Sequence, residues 1–506
     1  MEASTSDTAT APRPAHGGQA QRVRVAIIGT GFSGIGAAIR LKQAGIDDFV
    51  LLERFDDLGG TWHANHYPGL CCDVPSHVYS FSFELNPHWE RGFAPGAEIK
   101  EYIRGCAERH GITTRIRYRA EVLEAEWDAS ARRWRIHTSG GDFEAQFLIS
   151  GAGALSDPST PDLPGLERFR GTTFHSRDWN HDHDLTGERV AVVGTGASSI
   201  QFVPQIQPRV ERLDLYQRTA PWVIPRLDHR ITRPEHFLLR WIPFAPRIVR
   251  AALYWLLETR VAGFRRPPLM KVAEWTARWH LKRQVKDPEL RRKLLPDYTI
   301  GCKRILVSDD YYPSLEQPNV EVVTSGIGEV REHSIVDAGG VEREIDTIIF
   351  GTGFHVTDPP IAERIRGGDG RTLAERWGRS IQAYLGTTVA GYPNLFLLTG
   401  PNTGLGHNSM VFMIESQINL VIDCLKELDR RDADTVEVRE EVERAYNEEL
   451  QRRLEGTVWT ASHCQSWYLD ETGRNTTLWP SYSYAFRRRT RRFEPEEYVL
   501  GNGRAA

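Results

Sequence analysis

The sequence predicts an α/β fold of two strand–turn–helix units with a helical insert, on three observations. A strand, a Gly-rich turn, a helix and a second strand open the chain after residue 21. The same order returns near residue 189. From about 231 to 297 that order stops, and apolar residues recur at helical spacing. Composition agrees. A chain of 506 residues suggests two to four domains at roughly 150 residues each. Forty per cent hydrophobic and 26% charged residues make an ordinary globular composition, too apolar for a disordered chain. The 63 basic and 67 acidic residues give a formal charge of −4, which argues against a nucleic-acid partner.

In the first unit, Val23-Arg24-Val25-Ala26-Ile27-Ile28 reads as a buried strand running into Gly29-Thr30-Gly31-Phe32-Ser33-Gly34. Gly29 makes the tight turn, Gly31 lets backbone approach a pyrophosphate, and Gly34 lets helix pack on strand. The helix start offers free N–H groups to phosphates. A second strand, 49–52, ends at Glu53, nineteen residues after Gly34, where an acid accepts ribose hydroxyls.

In the second unit, the strand 189–193 leads into Gly194-Thr195-Gly196-Ala197-Ser198-Ser199, with Ser199 at the third glycine position. The following strand, 212–216, ends in Gln217-Arg218-Thr219 instead of an acid. An acid there would repel a ribose 2′-phosphate, whereas Arg218 would bind it bidentately. The alternative reading of Arg218 is a solvated surface cation, which its position after the strand disfavours. Strands 147–150 and 347–350 each end in Gly-x-Gly. Two Rossmann-like units, one with a free-ribose site and one cationic, suggest FAD plus NADPH.

Three further pieces carry a family resemblance. Phe169 to Trp179 looks like an FxGxxxHxxxW fingerprint. Gly60-Thr61-Trp62 through Tyr67-Pro68-Gly69 to Asp73 looks like a GGxWxxxxYPGxxxD element. Gly301-Cys302-Lys303-Arg304 with Tyr311-Tyr312 looks like a Lys-Arg segment. Together they resemble the flavin-containing monooxygenases and, within them, the type I Baeyer–Villiger monooxygenases. N- and S-oxygenating relatives have Tyr or Phe at the Trp179 position; Asn180 stands where the branch usually has Pro or Asp.

The resemblance implies that NADPH reduces FAD and that O2 adds at flavin C4a. The resulting peroxide inserts one oxygen atom beside a ketone carbonyl, giving an ester or lactone. It implies Arg304 as the fixed cation of this chemistry and Asp73 as the carboxylate orienting it. Thr61, Trp62, Asp73, Tyr79, Val122 and Met410 fall at flavin-side positions. Arg218, Thr219 and Lys303 fall at NADP-side ones. His175 is read as a linker residue and not as a base. The alternatives are an N- or S-oxygenating monooxygenase and a redox-sensing NADP-binding protein. A disulfide reductase is excluded by the lack of a paired Cys motif.

The resulting division is a disordered tail, 1–21; an FAD-binding domain, 22–155 and 386–506; an NADP-binding domain, 156–230 and 298–385; and the insert, 231–297. The tail contains no apolar run of a secretory leader. Residues 251–257 are too few to span a bilayer. The six Cys read as reduced thiols of a cytoplasmic protein, with no metal-ligand spacing. The insert's Phe237, Trp241, Phe244, Trp255, Phe264, Trp275 and Trp279 read as subdomain core or as the wall of a hydrophobic substrate route, in preference to a membrane contact. The run Arg487 to Arg492 reads as solvated or salt-bridged, and 438–454 as a surface helix.

Overall fold

The computed structural model describes residues 19–461 and 466–502. The expected tail lies almost wholly outside them, and the first strand starts at Gln21.

The central strand Gln21–Ile28 runs parallel to Phe49–Leu52 on one side and to Gly141–Ser150 on the other. Ile116–Arg117 extends the first edge. Beyond Gly141–Ser150 lie the antiparallel strands Arg133–Thr138 and Val122–Asp128, while Leu395–Leu397 pairs with its far end. Alternate residues serve opposite faces. Val25, Ile27, Leu51, Phe147 and Ile149 pack with the helices Phe32–Gln43, Gly96–Arg109 and Met410–Arg431. Ala26, Ile28, Val50, Leu52 and Leu148 pack the other way, with Trp127 and Trp134. Burial on both faces explains why these strands are continuous apolar runs.

The second sheet is parallel throughout, in the order Val320–Val323, Arg212–Tyr216, Arg189–Val193, Thr347–Phe350, Thr172–His175. Val190, Val192, Leu213, Leu215 and Ile349 meet the helix Ser199–Ile206 and the buried Tyr311 and Tyr312. Ala191, Ile348 and Phe350 meet the other layer, an antiparallel three-stranded ribbon over 327–344.

Three sequence expectations change here. Ile365–Arg366 pairs with Val122–Asp128 in the first sheet, so the chain returns to that sheet earlier than 386. Cys302 is disulfide-bonded, which corrects the reading of six reduced thiols. Cys71, Cys72, Cys106 and Cys424 are free, and Cys464 lies outside the described residues. Local spacing could not reveal such a link, because it reports only on neighbours. Finally, the insert folds as helices (Arg233–Trp241, Ala245–Glu258, Val261–Arg265, Lys271–Gln284). Most of its aromatics point outward. Phe264 is buried, but Phe237, Trp241, Phe244, Trp255, Trp275 and Trp279 are exposed. Helical periodicity marks a face without saying what that face meets.

The run 487–492 behaves as expected where it is ion-paired: Arg487 bonds Glu415 at 3.0 Å, and Arg489 bonds Glu497. Among the described residues no helix is long and apolar enough to cross a membrane.

Candidate active site

The first Gly-rich turn is built by close backbone approach. Gly29 has φ +88°, and a Cβ on Gly34 would lie 1.9 Å from the Gly29 carbonyl oxygen. A Cβ on Gly60 would lie 2.8 Å from Gly31 Cα. Only glycine permits that packing. The helix Phe32–Gln43 starts with no side-chain cap and no acid in its first turn, so its N-terminal N–H groups stay available to an anion. Glu53 is buried and accepts from the Thr30 and Phe55 amides, both at 3.0 Å. Its carboxylate is thereby locked beside the turn. Phe32 and Ser33 are buried at the helix start; the Phe32 ring meets Tyr79 edge-on at 5.1 Å. The Trp62 indole donates to the Tyr79 hydroxyl at 3.3 Å, with Thr61 beginning the short helix that presents Trp62. Burial pushes the Tyr79 phenol well above its usual pKa.

Val122 stands apart from this group. Its side chain is in the core of the opposite sheet face, and its carbonyl accepts from Arg364 at 2.8 Å. Met410 is the first residue of the helix Met410–Arg431 and packs in the cluster that contains Tyr468.

The second turn is looser. Gly194 has φ +103° and faces the Gly351 carbonyl, 2.5 Å from where a Cβ would sit. Ser199 fills the third glycine position, buried, its hydroxyl 2.0 Å from a Cβ built on Gly351. Gly196 and Ala197 are exposed. The helix Ser199–Ile206 again lacks a side-chain cap and a first-turn acid; Ser198 is its N-cap. Thr195 donates to the Thr219 carbonyl at 3.1 Å, tying the turn to the end of the next strand. Lys303 comes close to Arg218. Burial, then the nearby Arg218 charge, lowers the Lys303 pKa. The Lys303 ammonium lies 5.0 Å from the Tyr298 ring centre. Among the described residues neither cation is ion-paired, although Asp297 acts on Lys303 through space, so the pair is suited to an external anion.

Arg304 follows Lys303. Its Nε and Nη2 donate to Asp73 Oδ2 at 2.9 and 2.7 Å, and its Nη1 donates to the Leu405 carbonyl at 3.1 Å. The Asp73 charge raises the Arg304 pKa further, so the guanidinium is permanently cationic. Both side chains keep just over a quarter of their surface open, 27% and 28%, so the pair can meet a ligand. Tyr468 stands beside them, its phenol pushed up to about 12 by burial.

The segments around this pair are fixed from several sides. Glu258, at the end of the insert helix Ala245–Glu258, accepts from Asn408 at 2.8 Å and Ser483 at 2.6 Å, and meets His407 at 3.0 Å. Although burial opposes ionisation, these partners lower the Glu258 pKa overall. This hub ties the insert to the loop that supplies the Leu405 carbonyl. A Cβ on Gly301 would meet Met270 at 2.9 Å, so the insert also presses on the Lys303–Arg304 segment.

Tyr67-Pro68-Gly69 crosses between units. The Tyr67 hydroxyl donates to Gln201 at 3.0 Å, and a Cβ on Gly69 would lie 2.6 Å from the Gln201 carbonyl oxygen. Tyr67 and Trp179 are buried together in the second unit's core. His175 is buried, and its Nδ1 accepts from the Arg177 amide at 3.1 Å. Burial lowers its pKa. Asn180 is exposed, its side chain accepting from the Asp182 amide at 3.1 Å.

Sequence reasoning did not anticipate Tyr468, the Leu405 carbonyl or the Glu258 hub. Their partners lie far along the chain and follow no local pattern.

Two uncapped Gly turns, each following a strand with parallel neighbours, together with a fixed cation, define a class of nucleotide-dependent redox protein. The profile described as flavin-binding monooxygenase-like matches residues 22–369, and the chain belongs to that family. A Baeyer-Villiger monooxygenase of Pseudomonas aeruginosa is 52% identical over 97% of this chain and 93% of its own. One of Streptomyces coelicolor is 50% identical over 95% and 93%. The structure of an oxidized steroid monooxygenase bound to NADP matches with a TM-score of 0.84 at 29% identity, covering 96% of this chain and all of that one. A closed crystal structure of cyclohexanone monooxygenase matches at 0.84 and 26%, with the same coverage.

Proposed function

We propose that the protein is an FAD- and NADPH-dependent Baeyer–Villiger monooxygenase. It inserts one atom of O2 beside the carbonyl of a hydrophobic ketone, giving an ester or lactone. The Arg304–Asp73 pair is the observation that carries this reading. A reaction that builds negative charge on oxygen needs a cation that cannot lose its proton, oriented before the charge forms. Arg304 meets that need, and Asp73 and the Leu405 carbonyl hold it in place.

FAD fits the first cradle: the Gly34 and Gly60 backbones leave no room for side chains, Gly29 turns at φ +88°, and Glu53 is the acid expected beside a ribose. NADPH fits the second, with Gly194, Thr195, Gly196, Ala197 and Ser198 at the phosphates and Arg218 and Lys303 at the 2′-phosphate. Bound FAD, once reduced by NADPH, supplies the O2-activating chemistry. The protein's own residues bind, orient and exclude water. Trp62 and Tyr79 wall the first cradle. Arg304 stabilises oxyanion charge, and His175 takes no proton. We place FAD binding on 22–155 with the returning chain, and put the return before Ile365.

The test is NADPH oxidation with a ketone panel and identified products. Ester or lactone formation is expected. Oxygenation of only amines or thioethers would replace this reading with the N- or S-oxygenating one.

A further inference from the structure

The insert presents its apolar residues outward. On the helix Ala245–Glu258 the exposed stripe is Ile248, Ala251, Ala252, Trp255 and Leu256, while Glu258, its one carboxylate, is buried. On Arg233–Trp241 only Leu239 is buried, and Phe237, Leu238 and Trp241 face solvent. The turn between these helices adds Ile242 and Phe244, the latter at φ 67°, where bulky residues are rare. Of the 21 large apolar side chains exposed among the described residues, twelve lie between 237 and 279. Scattered singly they would need no explanation; eight of them, gathered on two successive helices and their turn, mark an interaction surface.

Charge says what kind of surface it meets. Residues 231–297 hold fifteen Lys or Arg and six Asp or Glu, and the two helices with their turn, 233–258, hold four Arg against Glu235 and the buried Glu258. The cations adjoin the aromatics. Arg240 lies over Trp241 at 5.1 Å, Arg247 over Phe244 at 5.8 Å, and Arg283 over Trp279 at 5.3 Å. A second copy of the chain would bring a like-charged patch to this face, which electrostatics disfavours. An anionic lipid surface is complementary. Trp, Phe and Leu with interleaved Arg is the make-up of a helix that lies in the headgroup–acyl boundary, and fourteen residues are too few to cross.

We propose that this face docks on an anionic bilayer as a peripheral contact. Phe237, Trp241, Phe244, Ile248 and Trp255 enter the boundary, and Arg233, Arg240 and Arg247 stay at the lipid phosphates. The full-length protein is floated with vesicles of phosphatidylcholine alone and of phosphatidylcholine with added phosphatidylglycerol. Wild type is expected to bind the anionic vesicles at low salt and to leave them as salt rises. The triple variant Trp241→Ser, Phe244→Ser, Trp255→Ser is expected to lose about tenfold or more in partition, as is Arg240→Glu with Arg247→Glu. These side chains are exposed, so an unchanged melting temperature checks that each variant folds. Three results overturn the proposal. One is wild type failing to bind anionic vesicles, and another is the triple variant binding as wild type does. The third is light scattering that finds an oligomer which only the triple variant dissolves, making a second copy the occupant.

Discussion

The two Gly-turn cradles share one design and differ in how tightly they are shut. In the first, the turn is pressed by Gly60, and its acid is buried and bonded to the turn's own amide. In the second, Gly196 and Ala197 are open to solvent, and among the described residues the charged groups beside the turn, Arg218 and Lys303, form no ion pair with a carboxylate. A shut cradle suits a cofactor that stays through many turnovers. An open one with waiting cations suits a cosubstrate that enters and leaves. Enclosure and charge thus separate two sites that the glycine pattern alone makes look alike.

The strongest challenge to this contrast is Arg304→Ala. It should leave FAD bound in the shut cradle and reduce ester formation by about a hundredfold or more, since a preorganised charge is lost. Flavin absorbance and product yield measure the two effects separately; retained ester formation would remove Arg304 from its role. Next comes Arg218→Ala. A charge-assisted hydrogen bond contributes about 1.5–3 kcal/mol, so the NADPH KM should rise roughly ten- to a hundredfold while the NADH KM barely moves. Equal rises would mean that the open cradle does not read the 2′-phosphate. Glu53→Gln tests the shut cradle. It removes a charge from a bonded network and should weaken FAD retention about tenfold, read from flavin release on dilution, with little change in the NADPH KM.

The smallest effect on the cradles belongs to a group outside both, which acts on stability instead. Burial pushes the Glu443 carboxyl up to about 7 from an ordinary 4.5. Below pH 4.5 it is neutral folded or unfolded and costs nothing. Between 4.5 and 7 the unfolded chain ionises first, so stability falls as pH rises, by up to about 3 kcal/mol. Glu443→Gln should therefore raise the melting temperature at pH 8 and leave it unchanged at pH 4, with both nucleotide affinities intact. A shift in either affinity would show that global stability leaks into the cradle measurements.

Much of the fold was legible because glycine is so constrained. At Gly34 and Gly194 a side chain would collide with backbone, and Gly29 turns at φ +88°, so the residue type itself reports the geometry. Arg304 and Asp73 were legible as matched motif positions, and the structure joins them across 231 residues. Two things were not legible. The Glu258 hub gathers His407, Asn408 and Ser483 from up to 225 residues away, and nothing local to any of them signals the others. The insert's aromatics recur at helical spacing as a core face would. Period fixes which residues share a side, but exposure depends on what the rest of the chain covers.

The Tyr67–Gln201 latch has a consequence for anyone recombining this chain with a relative. A breakpoint between the two nucleotide units separates Tyr67 and Gly69 from the helix on which they were fitted. A donor's second unit would need a glutamine at that position and a backbone that tolerates contact as close as Gly69 makes. Chimeras that exchange the strap and the helix together should express and fold more often than those exchanging either unit alone.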